Sequence, residues 1–234
     1  MDILCAGVFV SSTVGKHYGI SPMPRSFFWL LLLLLPLSAC AQAPAGPLRV
    51  GEDYEVLDQG QRWQPPNGKI EVAEVFAYWC SHCAAFQPYV DTWKKKIPAD
   101  VSFAYVPAAF DLDDAYGKAY FAAESAKAVT RIHQPLFDAV HEEGMLPRNA
   151  TVDEMGTWFA QRGLNRARMV GLMQSKAVAA QMVRARDFAV ANRVGGTPTL
   201  VVNGKYVVRA RSNEDRIRVL NALIALERTA AKKR

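Results

Sequence analysis

The chain has 234 residues, 50% apolar and 21% charged, which excludes a disordered or collagen-like polypeptide and points to one globular unit with its own core. Four cysteines in a chain of this length exclude the disulfide framework of a small secreted scaffold, which serves domains too short to bury a core. The formal charge of +6 is spread along the sequence, with tight runs only at 94–96 and 232–234 and no basic stripe interleaved with stacking aromatics, so nucleic acid is not an expected partner.

The first element in chain order is an apolar run at 27–37, preceded by Arg25 and followed by Ser38, Ala39, Cys40 and Ala41. It is shorter than the about 20 residues that a permanent membrane helix needs. A positive start, an apolar centre of this length and small residues at the exit form the pattern of a secretory signal. We therefore expect a signal peptide at 23–39, starting at Met23, behind a non-native or dispensable extension at 1–22 that contains Cys5. The exit Leu37-Ser38-Ala39-Cys40 resembles the lipobox of bacterial lipoproteins, in which the cysteine is acylated and becomes the first mature residue. Cys40 is thus the expected lipidation site and 40–47 an Ala/Pro-rich tether, with Ala41-Gln42-Ala43 as a competing ordinary cleavage site. Export would leave the folded domain with Cys80 and Cys83, a C-x-x-C pair in an oxidising compartment.

Order is expected from Leu48. Residues 70–78 (IEVAEVFAY) follow the turn signal Pro65-Pro66-Asn67-Gly68 and read as a strand buried on both faces. Within it, Glu71 is expected at the solvated beginning, whereas Glu74 stands out as an acid deep in an apolar strand. A helix is expected over 81–96, kinked at Pro88, with the lysines at 94–96 in its last turn on a solvated face. Residues 101–107 (VSFAYVP) read as a second strand.

The stretch 114–194 reads as helical throughout. Thr151-x-x-Glu154 is a capping box, Asn165 and Ser175 are N-caps and Gly163 is a C′ residue, while Val178, Met182, Ala185 and Ala189 share one helical face. His133 is expected at a helix end, and His141-Glu142-Glu143 lacks the second histidine of a zinc-protease helix. Asn203-Gly204, between 199–202 and 206–209, is a type I′ hairpin signal, since that turn needs positive φ at both positions. A last helix, capped by Ser212, runs to about Lys232 and buries Ile217, Leu220, Leu223 and Ile224. Strand, helix, strand, several helices, hairpin, helix is an α/β order with a helical insertion.

A C-x-x-C pair also serves zinc knuckles and haem attachment. Zinc would need two further ligands, for which the exported domain offers only His82, His133 and His141, and haem attachment needs a histidine where Ala84 stands, so no metal and no cofactor is expected. A structural disulfide is the plain alternative. Redox chemistry is favoured by position: at a strand-to-helix junction, Cys80 meets the unpaired N–H groups and positive dipole end that stabilise a thiolate. His82, between the two sulfurs in sequence, adds to that stabilisation when cationic. A thiol of low pKa is a good leaving group, so a disulfide containing Cys80 is readily broken and passed on.

Three segments, Glu74-Val-Phe-Ala-Tyr-Trp79-Cys80-Ser81-His82-Cys83, Val194-Gly195-Gly196-Thr197-Pro198-Thr199 and Val202-Asn203-Gly204-Lys205-Tyr206, resemble the DsbA family of thiol:disulfide oxidoreductases, and the resemblance covers nearly the whole mature chain. It implies a thioredoxin fold with an inserted all-helical domain, with a first thioredoxin part at 48–112, the helical insertion at 113–192 and a second thioredoxin part at 193–234. It further implies that Cys80 and Cys83 form the redox-active disulfide, Cys80 as the solvent-exposed nucleophile and Cys83 as the buried resolving thiol. His82 would stabilise the thiolate, Glu74 would be the buried acid that handles protons, Pro198 would be a cis-proline facing the disulfide, and Thr197 before it would meet substrate. The implied partners are unfolded exported proteins with cysteines and a quinone-linked membrane reoxidase like DsbB, and the implied location is the periplasm. Ser81 departs from the family, whose best-known members have proline there, and Gln87 replaces an acid found in some members.

Two rival functions remain open on these grounds. One is a reductase or isomerase in the same fold, and the other is a membrane-tethered binding protein or chaperone whose disulfide is structural. The reduction potential of the cysteine pair separates them.

Overall fold

Apolar and β-branched residues dominate β2 (Ile70–Phe76), and all seven of its residues are buried. It lies between β3 (Val101–Pro107), to which it is parallel, and β4 (Thr199–Val202), to which it is antiparallel. The computed structural model describes residues 46–232, so the apolar run, Cys5, Cys40 and the expected cleavage sites lie outside the described residues. With β1 (Tyr54–Val56) and β5 (Tyr206–Val208) the sheet has the order β1-β5-β4-β2-β3. Ala77 and Tyr78, expected as the end of β2, leave the ladder and lead into the turn before Cys80. β1 is a three-residue edge strand, too short to show as an alternating pattern in the sequence.

The helix α1 (Ser81–Lys94) joins β2 to β3 and ends two residues earlier than the sequence suggests. Between β3 and β4 come five helices, α2 (Ala115–Ser125), α3 (Val129–His141), α4 (Val152–Gln161), α5 (Arg166–Met173) and α6 (Lys176–Ala191). Their ends follow local chemistry. The Asp114 carboxylate caps α2 by accepting from the Tyr116 and Gly117 N–H groups, and Thr151 and Glu154 form the reciprocal capping box of α4. Asn165 and Ser175 cap α5 and α6, and Gly163 takes φ 74° where α4 stops. Each such cap is worth about 1 kcal/mol, so they set where the helices begin more than how stable the fold is. Asn203 and Gly204 turn the β4–β5 hairpin at φ 53° and 64°. The final helix α7 (Asn213–Lys232) starts with the Ser212 hydroxyl accepting from the Asp215 N–H; it buries Leu220, Leu223 and Ile224, whereas Ile217 is half-buried. The whole is a thioredoxin fold with an all-helical insertion, the α/β class read from the sequence.

Two residues sit where the sequence did not put them. Glu71 is buried, not solvated: the strap that crosses this end of the sheet delivers the Trp63 and Gln64 N–H groups to its carboxylate, at 2.8 and 2.7 Å. Two backbone donors replace the water that an isolated buried carboxylate would demand. His133 lies in the middle of α3, not at a helix end, and is buried among Phe76, Tyr78, Tyr105 and Phe137.

Candidate active site

The two cysteines occupy two different positions of one helix start. Cys80 is the N-cap of α1, with extended backbone (φ −86°, ψ 114°), and its carbonyl accepts from the N–H groups of Cys83 and Ala84, both at 3.1 Å. Cys83 lies one turn inside, 1% exposed. Cys80 is 8% exposed, which corrects the expectation of an openly solvated nucleophile. The cause is the loop before β4: Thr197 lies across the Cys80 sulfur, its carbonyl accepting from the thiol at 3.4 Å, and the Thr197–Pro198 peptide bond is cis. Pro198 is buried and Thr197 half-buried, so this loop forms a wall beside Cys80. Both cysteines are free thiols in the structure.

The electrostatics of the two sulfurs are opposed. The Cys80 thiol is pulled down to about 5, first because the Cys83 thiol donates to its anion, then because the Thr197 side chain and the backbone N–H groups of Cys83 and His82 do the same; burial opposes them. Cys83 is pushed far above the ordinary thiol range by burial, by that same hydrogen bond to Cys80 and by the nearby Glu74 and Cys80 charges. His82 is exposed, and what reaches the Cys80 anion is its backbone N–H.

Glu74 is 1% exposed, and its Oε2 has no hydrogen-bond partner. Burial raises its carboxyl to about 8; Lys94 and Arg216 pull it down, while Asp91 and Cys80 push it up. Such a carboxyl is mostly protonated at neutral pH and able to exchange a proton near it.

Further residues frame the site, none with a signal in the sequence strong enough to single it out as functional. Trp79, directly before Cys80, donates to Asp114 at 3.4 Å, which ties the active-site turn to the start of α2. His133 accepts from the Tyr78 hydroxyl at 2.8 Å and donates to Gln87 Oε1 at 3.3 Å, and Gln87 donates to the Tyr105 hydroxyl at 2.8 Å. This chain of bonds fixes α1 against α3 and β3. His133 is held down to about 3 by burial and by Lys94, so its ring is neutral. Two turns further along α3, His141 donates to the Tyr78 carbonyl at 2.7 Å. Among the described residues no three metal-ligating side chains converge.

A family model described as a DSBA-like thioredoxin domain matches residues 105–225. The chain is 36% identical over 195 residues to the thiol:disulfide interchange protein DsbA of Pseudomonas aeruginosa, spanning 82% of this chain and 91% of that protein. To the protein of the same name from Azotobacter vinelandii it is 35% identical over 203 residues, spanning 85% and 93%. The crystal structure of oxidoreductase DsbA from Xylella fastidiosa matches it with a TM-score of 0.75 at 38% identity, over 78% of this chain and 98% of that one.

Proposed function

The chain belongs to the DsbA family of thiol:disulfide oxidoreductases, and from that premise we propose that it works as an oxidase, donating the Cys80–Cys83 disulfide to unfolded exported proteins in the periplasm. The single observation that supports this direction is the opposition of the two thiols, one pulled down to about 5 and the other pushed well up. A substrate thiolate attacks the Cys80 sulfur; a substrate–Cys80 disulfide forms, the Cys80–Cys83 bond breaks, and Cys83 departs with the electron pair. Glu74, carrying its proton near neutral pH, hands that proton to Cys83. A second substrate thiolate then attacks the substrate's own sulfur and expels Cys80, which leaves as an anion and needs no proton. Two electrons pass to the enzyme; of the two protons the substrate thiols release, one restores Glu74, whose own proton is now on Cys83, and the other stays in solvent. The stable Cys80 anion favours the reduced enzyme, which is what makes the oxidised form a donor. Thr197, beside Cys80, is the site where an extended substrate segment would lie.

The deciding measurement is the reduction potential of the pair against glutathione. An oxidising value supports donation; a value near the about −270 mV of thioredoxin would turn the reading to a reductase, and a pair that does not exchange at all would leave a tethered binding protein. We further propose reoxidation by a quinone-linked membrane protein of the DsbB kind, to which two electrons pass. Cys40 is proposed as a lipid anchor, because two or three acyl chains suffice for stable membrane attachment. Partitioning into detergent with labelled palmitate tests the anchor, and an unlabelled chain unchanged by Cys40→Ala would show cleavage at Ala41-Gln42-Ala43 instead.

A further inference from the structure

Residues 77–80, which carry the chain from β2 to the first cysteine, form a β-turn: the Cys80 N–H donates to the Ala77 carbonyl at 3.1 Å, and Tyr78 and Trp79 are the two central residues. Trp79 keeps a negative φ, so the turn is not of type II. The peptide between Tyr78 and Trp79 takes no part in the turn's own hydrogen bond, and its carbonyl must be satisfied from outside. His141, the last residue of α3, does this: its Nε2–H donates to the Tyr78 carbonyl at 2.7 Å. The same helix also holds the Tyr78 side chain. His133 Nδ1 accepts from its hydroxyl at 2.8 Å, and Phe137, midway between the two histidines on one face of α3, packs on the Tyr78 ring with the centres 4.9 Å apart. Tyr78 is thus gripped at both ends, hydroxyl and main chain, by one helix of the insertion. The gripped turn meets both sulfurs, since it ends on Cys80 and the Ala77 N–H reaches the Cys83 sulfur.

We propose that His141 is a positioning residue for thiol–disulfide exchange: its ring N–H pins the main chain of the turn 77–80 to the end of α3, and so keeps the Cys80 sulfur at the helix start and beside Thr197, where its anion is bonded. The inference rests on the reading of Cys80 as the sulfur that substrate attacks. Three points tie this turn to the insertion, and they are not equivalent. The Trp79 indole meets Asp114 in a long bond of 3.4 Å, at the tip of a half-buried side chain. The His133 bond holds the far end of the Tyr78 ring, two side-chain torsions away from the backbone. Of the three, the His141 bond alone holds the main chain. In the oxidised enzyme the covalent bond to Cys83 fixes the Cys80 sulfur. In the reduced enzyme the sulfur stays where the turn, the helix start and the Thr197 loop keep it. The Cys83 thiol and the N–H groups of Cys83 and His82 stabilise its anion, and hydrogen bonds of this kind weaken steeply when a donor or acceptor is misaligned. His141 therefore acts on the reduced anion more than on the disulfide, and its bond bears on the balance between the two states.

The test titrates the Cys80 thiolate by its absorbance and measures the equilibrium of the cysteine pair with glutathione, both on the full-length protein. His141→Phe keeps a ring against Phe137, whose centre lies 6.3 Å away, and removes the donor. The Cys80 midpoint should rise by about half a pH unit or more, on the order of one lost hydrogen bond. The equilibrium constant for oxidising glutathione at pH 7 should fall by about threefold or more, because half a unit on an anion that is fully formed at pH 7 is a threefold change. His141→Gln, whose side-chain N–H reaches the same oxygen, should restore both. Ser175→Ala, which removes a comparable hydrogen bond at the start of α6, should change neither. An unchanged midpoint in folded His141→Phe, a failure of His141→Gln to restore it, or an equal rise in Ser175→Ala would overturn the proposal. Should His141→Phe not fold, His141→Asn, with an amide too short to reach the Tyr78 carbonyl, carries the same expectation. A parent potential near that of thioredoxin overturns the oxidase reading alone; a parental midpoint in His141→Phe overturns the role of His141 alone.

Discussion

Two sulfurs three residues apart, on one helix start, live under opposite rules. Cys80 faces N–H groups, a helix dipole and the Thr197 loop, all of which favour its anion. Cys83, one turn on, faces the sheet and the Glu74 carboxyl, which disfavour its anion. The residue types are identical, so the difference is entirely one of position: the mouth of the site is built from donors and its floor from apolar surface and an acid. An asymmetric disulfide needs only a helix that begins at its first cysteine and a buried strand beneath its second.

The largest expected effect breaks that comparison outright. Cys80→Ser should lower disulfide transfer to a reduced model protein by roughly three orders of magnitude or more, to the uncatalysed rate. Cys83→Ser should leave Cys80 able to attack and should accumulate mixed disulfides with substrate, visible on non-reducing gels. Equal loss without trapping would show that the two thiols are interchangeable. Next in size is the difference in reactivity: iodoacetamide at pH 6 should label Cys80 of the reduced protein at least about 100-fold faster than Cys83, read by mass spectrometry of the peptides, because one is largely thiolate there and the other is not.

The floor can be probed through stability. The folded carboxyl of Glu74 is raised from 4.5 to about 8, so the native state holds a proton that the unfolded chain has released; stability from this group is full below pH 4.5 and is lost as pH rises through 8. Glu74→Gln should therefore match the parent near pH 4 and exceed it by about 5 kcal/mol near pH 9 in urea titrations of the oxidised protein. A gain that does not vary with pH would mean that Glu74 is not the buried acid the structure shows. The smallest effect sharpens the mouth. Ser81 is the first residue of α1, where proline is favoured, and it is not among the groups that act on Cys80. Ser81→Pro should raise stability by about 0.5 kcal/mol and leave the Cys80 titration within about half a unit, measured by thiolate absorbance.

Much of this was legible in the sequence for local reasons. The capping residues Thr151, Asn165 and Ser175, the Asn203-Gly204 turn and the strand at 101–107 all carry their signals within a few residues. The C-x-x-C pair at a strand-to-helix junction likewise announces a thiolate-stabilising helix start. What could not be read depends on distant segments. Glu71 is buried because a strap from 61–64 brings it two N–H groups, and His133 because aromatic residues from β2, β3 and α3 close around it. Cys80 is covered by a loop more than a hundred residues later in the chain. Lys94 differs from Lys95 only in pointing toward β3, which no count of charges reveals.

The buried, neutral His133 has a consequence for tolerance of acid. Held down from 6.5 to about 3, it refuses a proton that the unfolded chain accepts, so its contribution to stability is present above pH 6.5 and fades as pH falls through 3. Glu74 does the reverse, keeping between pH 4.5 and 8 a proton that the unfolded chain lacks. Between pH 4.5 and 6.5 both imbalances operate at once, with one proton gained and one forgone on folding. The count cancels, and with it the slope of stability against pH from these two groups. For the oxidised protein this pair yields a plateau across mildly acidic conditions, with losses on either side. Across that hundredfold change in acidity these two groups together leave the folding equilibrium where it stands.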